Sequence, residues 1–422
     1  MNKILKRTII AGVFGHALEC YDFTLYASFS AILAMVFFPA EDPRLGLLFT
    51  FGVFALSFLV RPFGGVIFGY LGDHFGRKNA LIVSIVAMSA PTFLLGVLPS
   101  YAAIGIWAPV LLTFLRLTQG IAVSGEMTTA ITYLVEHAGD NQRGFVGSLT
   151  MCSAIGGAAM SAAVVALITA SVSHEQLLSW GWRLPFLLGG LLGLLGLIMR
   201  LRSSETLHFQ TAKKSLVMHL KPSFAKHFRG LEYQSIFIAV LLMAVMAISY
   251  YFLVGYFNAF LIKTMAQPVQ SIMLINFVCL LLLTCLAPLL GIVSDKIGRK
   301  SVLITSIAAL IIFIYPIFWL LQQTIFLIFL GELLFVMILA PIVAIIPTVL
   351  SEMFQVHTRN SGAALGYNIS QAIFGGTAPL IALQLVASTK NLYAPSWYLI
   401  AGAAISLLAL LKVKETYEQP LT

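Results

Sequence analysis
Long apolar stretches, broken by short polar turns, run through the whole chain. A helix that crosses ~30 Å of hydrocarbon needs ~20 apolar residues. Backbone groups in lipid must be satisfied within the chain, so runs of this length predict helices. They are too long and too uniform for barrel strands of ~10 alternating residues. Twelve spans are predicted, at 8–37, 45–71, 80–98, 104–134, 144–170, 182–202, 233–262, 270–294, 301–321, 324–350, 358–387 and 395–413. Only Gln322, Gln323 and Thr324 mark the turn between spans nine and ten. The first run is too long for a cleaved leader and carries His16, Glu19 and Asp22, so it is expected to stay in the mature chain.

The longest polar stretch, 203–232, divides the spans six and six. The expected organisation is therefore an N-terminal six-helix bundle over 1–202, a linker over 203–232 and a C-terminal six-helix bundle over 233–422. The linker holds a basic amphipathic piece from Lys213 to Arg229, suited to a membrane surface. The two halves repeat. Gly69–Leu81 reads GYLGDHFGRKNAL and Gly291–Leu303 reads GIVSDKIGRKSVL, which aligns Asp73 with Asp295 and Arg77 with Arg299. A second repeat, after spans four and ten, aligns Glu136 and Arg143 with Glu352 and Arg359. Parallel repeats of this kind build transporters.

Composition supports the membrane reading. Of 422 residues, 59% are hydrophobic and 10% charged, and mean hydropathy is +0.96. Soluble domains carry about 25% charged residues, so too few charges remain to cover a soluble surface. The net charge of +9 reflects orientation, not nucleic acid. With both termini in the cytoplasm, 19 of the 25 basic residues fall on that side, as the positive-inside rule requires. They face anionic headgroups there. Cys20, Cys152, Cys279 and Cys285 lie in apolar runs, so no disulfide framework is expected. No Walker loop, metal-ligand spacing or Ser–His–Asp signature occurs, so neither an enzyme nor a cofactor or metal is expected.

The repeated GRK loops resemble the major facilitator superfamily, and RLTQG at Arg116–Gly120 is similar to its second motif. ECYDFTLYA (Glu19–Ala27), RPFGGVIFGYLGDHFGRK (Arg61–Lys78), RLTQGIAVSGE (Arg116–Glu126), GWRLPF (Gly181–Phe186), SETLHF (Ser204–Phe209) and IFGGTAP (Ile373–Pro379) resemble the metabolite:proton symporters. That family includes proline/betaine, 2-oxoglutarate, citrate and shikimate permeases. The resemblance implies an all-α membrane protein, with twelve transmembrane helices in two six-helix bundles. It implies alternating access in a bacterial inner membrane, with a site near the midplane between the halves. It also implies that Asp73, Arg77, Glu136 and Arg143, with Asp295, Arg299, Glu352 and Arg359, hold the inner gate. The alternative is a set of charges at solvated loop turns, worth ~0–1 kcal/mol per pair.

The ionisable residues inside the membrane carry the candidate chemistry, because charge at that depth is costly and usually faces a cavity. His16, Glu19 and Asp22 are three apart and share a helix face. They lie ~12–21 Å from Thr8 at ~1.5 Å per residue. Arg116 and Gln119 are also three apart, and Glu126 follows near the same face. A proton carrier needs a carboxyl whose neutral form burial favours and a nearby cation opposes. Asp22, Glu19 and Glu126 are the proton-coupling candidates, and Arg116 with Gln119 is the anchor for a carboxylate, which guanidinium binds bidentately. The alternative is a permanent Arg–acid bridge between spans one and four. Glu332 stands alone in span ten. Tyr26, Tyr251 and Tyr256 are candidate cavity aromatics that could face a quaternary ammonium; packing is their alternative. The expected function is import of a small carboxylate or zwitterion with protons by a monomer. Proton-driven export and ligand sensing without transport remain open.

Overall fold
The computed structural model describes residues 3–39, 43–139, 141–214 and 230–421. Among them, ten single helices are long and apolar enough to cross a membrane. They are Arg77–Val97, Trp107–His137, Arg143–Ser171, Arg183–Leu201, Tyr233–Ile262, Ser271–Ile297, Arg299–Leu320, Ile325–Glu352, Arg359–Thr389 and Ala394–Lys412. These correspond to predicted spans three to twelve. Span two is a pair, Gly52–Leu59 and Arg61–Phe75, bent by 40° where Pro62 enters the first turn. Span one is Lys3–Ser28 followed by Ser30–Phe37. The amphipathic piece expected at Lys213–Arg229 lies almost wholly outside the described residues.

The chain clusters into two compact units. The first comprises Met1–Tyr133 and Ser153–Pro222; the second comprises Leu134–Cys152 and Ser223–Thr422. In the first, span three packs along span six, and span one lies against span six as well. Gly189, Gly193 and Gly196 recur on the buried face of span six, where small side chains admit a close neighbour. Arg183, in the GWRLPF segment, ties the same two spans at one end by donating to the carbonyls of Gly96 (3.1 Å) and Leu98 (2.6 Å). An aromatic core of Tyr21, Phe29, Phe37, Trp182 and Phe186 fills this unit. In the second, span ten lies between spans eight and nine, and span seven packs on span twelve. The four cysteines form no disulfide.

The sequence repeat is also a structural repeat. Spans three and nine each start directly after a glycine with positive φ, Gly76 at 102° and Gly298 at 101°. L-residues with a side chain rarely adopt that conformation. Each helix start is then capped by a distant glutamate. Glu205 accepts from the Lys78 amide (3.1 Å), and Glu415 accepts from the amides of Arg299 (3.1 Å) and Lys300 (2.8 Å). A carboxylate there satisfies orphan N–H groups and complements the helix dipole.

Candidate functional site
The first unit holds a buried polar network around span one. His16, Glu19 and Asp22 are 2%, 5% and 4% exposed, so the spacing of three does place them together on an inward face. Asp22 is linked to Arg116, but not by an ion pair. Arg116 Nη1 donates to Gln119 Oε1 (2.8 Å), Gln119 Nε2 donates to Thr92 Oγ1 (2.7 Å), and Thr92 Oγ1 lies 2.8 Å from Asp22 Oδ2. The expected pairing of cation and acid is thus relayed by an amide and a hydroxyl. The guanidinium of Arg116 sits over the Tyr26 ring at 4.2 Å, and the Tyr26 hydroxyl donates to the Thr50 carbonyl (3.2 Å). Arg116 Nε and Nη2 and Asp22 Oδ1 are buried without a hydrogen-bond partner. Arg61 stacks on Phe58 at 4.1 Å and on Phe23 at 4.8 Å, and Arg116 approaches the same Phe23 ring at 5.4 Å. Two guanidinium groups therefore share one aromatic wall.

A second cluster lies along the same helix. His16 Nδ1 is 3.6 Å from Glu19 Oε2, and His16 Nε2 is 3.8 Å from Cys20 Sγ. Glu126 is ion-paired with Arg200 and accepts from the Ser84 hydroxyl. Arg200 also donates to the Leu81 carbonyl at 2.5 Å. The sequence singled out Glu126 but passed over Arg200, which reads as one basic residue closing span six. Thr92 was missed too, since a hydroxyl inside an apolar run is common on membrane helices. His16, Glu19 and Glu126 offer ligand atoms within 4.8 Å of one another, a trio that no sequence spacing displays.

The second unit contains a charge network built from both repeats. Arg143 Nη1 is 3.1 Å from Glu352, and Arg359 Nη1 is 2.8 Å from Glu136. The second repeat thus pairs reciprocally, each arginine with the other copy's glutamate. Asp295 binds Arg299 at 2.7 Å and accepts from the amides of Gly144 (2.8 Å) and Phe145 (2.9 Å), at the start of span five. Helix N-termini bind anions in this way. Glu352 also receives Arg299 at 3.4 Å and the Thr416 hydroxyl at 2.5 Å, and Arg143 donates to the Thr416 and Gln419 carbonyls. In the first unit the matching Arg77 is 3.4 Å from Asp73 and donates to the Gly72 carbonyl (2.8 Å). All eight charges are buried or nearly so. They are therefore not solvated loop charges. Glu205 and Glu415 were missed, although a shared Glu–Thr pair, Glu205–Thr206 and Glu415–Thr416, was there to find after spans six and twelve.

The remaining candidates lie in the second unit. Tyr256 is fully buried in an aromatic core, stacked on Phe260 at 5.6 Å, with its hydroxyl unpartnered. Tyr251 is half-buried beside Gly375. Tyr251 precedes, and Tyr256 ends, a π-helical turn, Phe252–Tyr256, whose Leu253 carbonyl accepts from Asn276 at 2.8 Å. Such turns are frequent at functional sites. Glu332 is fully buried, its carboxylate beside the Cys279 thiol and the Asn276 amide.

The comparisons with known proteins agree with this architecture. The family model described as "Sugar (and other) transporter" matches residues 8–422. The glycine betaine/proline/ectoine/pipecolic acid transporter OusA of Dickeya dadantii is 36% identical over 425 residues, spanning 99% of this chain and 85% of that one. The proline/betaine transporter of Escherichia coli K12 is 34% identical over 426 residues, with the same coverage. Among solved structures, the proton:xylose symporter XylE bound to 6-bromo-6-deoxy-D-glucose superposes with a TM-score of 0.79 at 17% identity, covering 99% of this chain and 98% of that one.

Proposed function
The chain belongs to the sugar (and other) transporter family of the major facilitator superfamily, making it a multi-pass membrane transporter and not an enzyme, and on that premise we propose that it imports a small zwitterion of the betaine or proline class together with protons. The observation that carries this reading is the buried chain Asp22–Thr92–Gln119–Arg116, which ends in a guanidinium edge with two unpartnered nitrogens. A substrate carboxylate can take that edge bidentately. Doing so offsets the positive charge that Arg116 presents to Asp22 through space, and so favours a proton on Asp22. Binding of substrate and proton are then linked, each favouring the other. Glu19 and Glu126 extend the acid set. Tyr26 shapes the wall behind Arg116, and Tyr251 and Tyr256 belong to the matching part of the second half.

The halves 1–202 and 233–422, joined by 203–232, move against each other in one chain set in a bacterial inner membrane, both termini cytoplasmic. The paired charges Glu136–Arg359 and Arg143–Glu352, with Asp73–Arg77 and Asp295–Arg299, latch the inner side. Removing one partner of a buried pair costs ~3–5 kcal/mol, enough to shift a two-state equilibrium. The test is uptake of labelled proline and glycine betaine into proteoliposomes under an imposed pH gradient. Accumulation driven by external acid is expected. Efflux under that gradient would indicate export, and saturable binding without flux would indicate a sensor.

A further inference from the structure
Below Asp22, span one carries buried polar atoms that substrate binding does not use. Asp22 Oδ1 lacks a hydrogen-bond partner, and Glu19 Oε2 and His16 Nδ1 face each other at 3.6 Å, too far apart for a hydrogen bond. A cavity of about 10 Å³ lies beside Asp22 and Glu19, bounded by Ser84, Ser89 and Glu126 and by the apolar Leu18, Ile85 and Met88; His16 stands outside its wall. One water needs roughly that volume and two to four polar partners, and buried polar groups left unpaired at a void point to such a water. Past the cavity, His16, Glu19 and Glu126 bring one ligand atom each within 4.8 Å of one another. The ionisable groups facing this cluster are Asp22, Glu19, His16 and Cys20 on span one, Glu126 on span four and Arg200 on span six. Span three adds only the hydroxyls of Ser84 and Ser89. Arg200 already neutralises Glu126, which disfavours a divalent cation among these ligands.

Resting on the symport reading above, we propose that His16, Glu19 and Glu126 form a second proton station, joined to Asp22 by one water in this cavity, through which the coupling proton leaves the substrate site. The Asp22 carboxyl gives its proton to the water, and the water gives one of its own to the Glu19 carboxylate. Glu19 passes it to Nδ1 of the neutral His16 ring, 3.6 Å away, and His16 hands it to Glu126. One proton moves at each step, and the donor carboxylate is regenerated. Protonated Glu126 holds Arg200 less tightly, so arrival of the proton loosens the tie between spans four and six.

The test uses the full chain in proteoliposomes, with labelled proline and glycine betaine as probes. Two modes are compared: accumulation driven by a pH gradient, with internal pH followed by a trapped dye, and counterflow exchange at equal pH. Exchange needs no net proton release. Glu126→Gln and His16→Gln are expected to lose accumulation by about tenfold or more, the range of a lost proton-transfer group, while counterflow persists. Glu126→Asp, which keeps an acid, should retain both modes. His16→Gln leaves the Glu126–Arg200 pair intact, so it reports even if Glu126→Gln folds poorly. Accumulation equal to wild type in both Gln variants, or loss of both modes in both, overturns the relay. A wild-type protein that moves neither probe, or moves one without protons, overturns the symport reading and the relay with it.

Discussion
Hydrogen bonds connect Arg116 to Asp22 by way of Gln119 and Thr92, so each link can be broken separately. Arg116→Lys keeps the charge and loses the planar fork. Hydrogen bonds to charged groups contribute ~1.5–3 kcal/mol, so the KM for uptake should rise about tenfold to a hundredfold. An unchanged KM would place the substrate elsewhere. Thr92→Val removes the hydroxyl at nearly constant volume and leaves two buried polar groups short of a partner. A cost of ~1–3 kcal/mol is expected, read as reduced uptake and a lower melting temperature, with Thr92→Ser restoring both. The acids and Arg116 could be found in the sequence because rarity marks a charge in a membrane span. Thr92 and Arg200 could not. One is an ordinary hydroxyl in an apolar run, and the other looks like a basic residue ending a helix.

At the scale of elements, the repeats decide where charge is held. Motif alignment revealed Glu136, Arg143, Glu352 and Arg359 as two copies of one pair, but not that the copies exchange partners. Only packing shows that, because sequence spacing carries no information about which distant helix end a side chain meets. The exchange predicts a charge-swap rescue. Glu136→Arg alone should abolish transport, and Glu136→Arg with Arg359→Glu should recover a measurable part, since residues in one buried pair couple by ~0.5–3 kcal/mol in a double-mutant cycle. Additive losses would mean that the pair is not a unit. The glycines before spans three and nine make a matched prediction. Gly298→Ala forces a side chain into a backbone with φ of 101° and brings it to within 2.8 Å of the Glu415 carboxylate. A loss of ~1–2 kcal/mol is expected, read as a lower melting temperature in detergent. Gly76→Ala, which faces Glu205, should behave alike. Hydropathy fixed ten spans to within a few residues, but it could not foresee the 40° break in span two, which Pro62 and the preceding turn impose.

For the whole molecule, the ends of spans four and five, Leu134–Cys152, cluster with the C-terminal helices. Hydropathy counts spans and is blind to such grouping. The proposed latch charges of this segment, Glu136 and Arg143, are engaged with Arg359 and Glu352. In the proposed latch those pairs open in each cycle, and in the proposed coupling Asp22 takes its proton in the same substrate-loaded state. The measurement that tests this most directly is substrate-dependent proton uptake in proteoliposomes, wild type beside Asp22→Asn. The account predicts that proline or glycine betaine added outside acidifies the lumen with the wild-type protein. It predicts that Asp22→Asn abolishes this proton movement while counterflow exchange of the same substrate continues. Equal proton movement in the two proteins would contradict it.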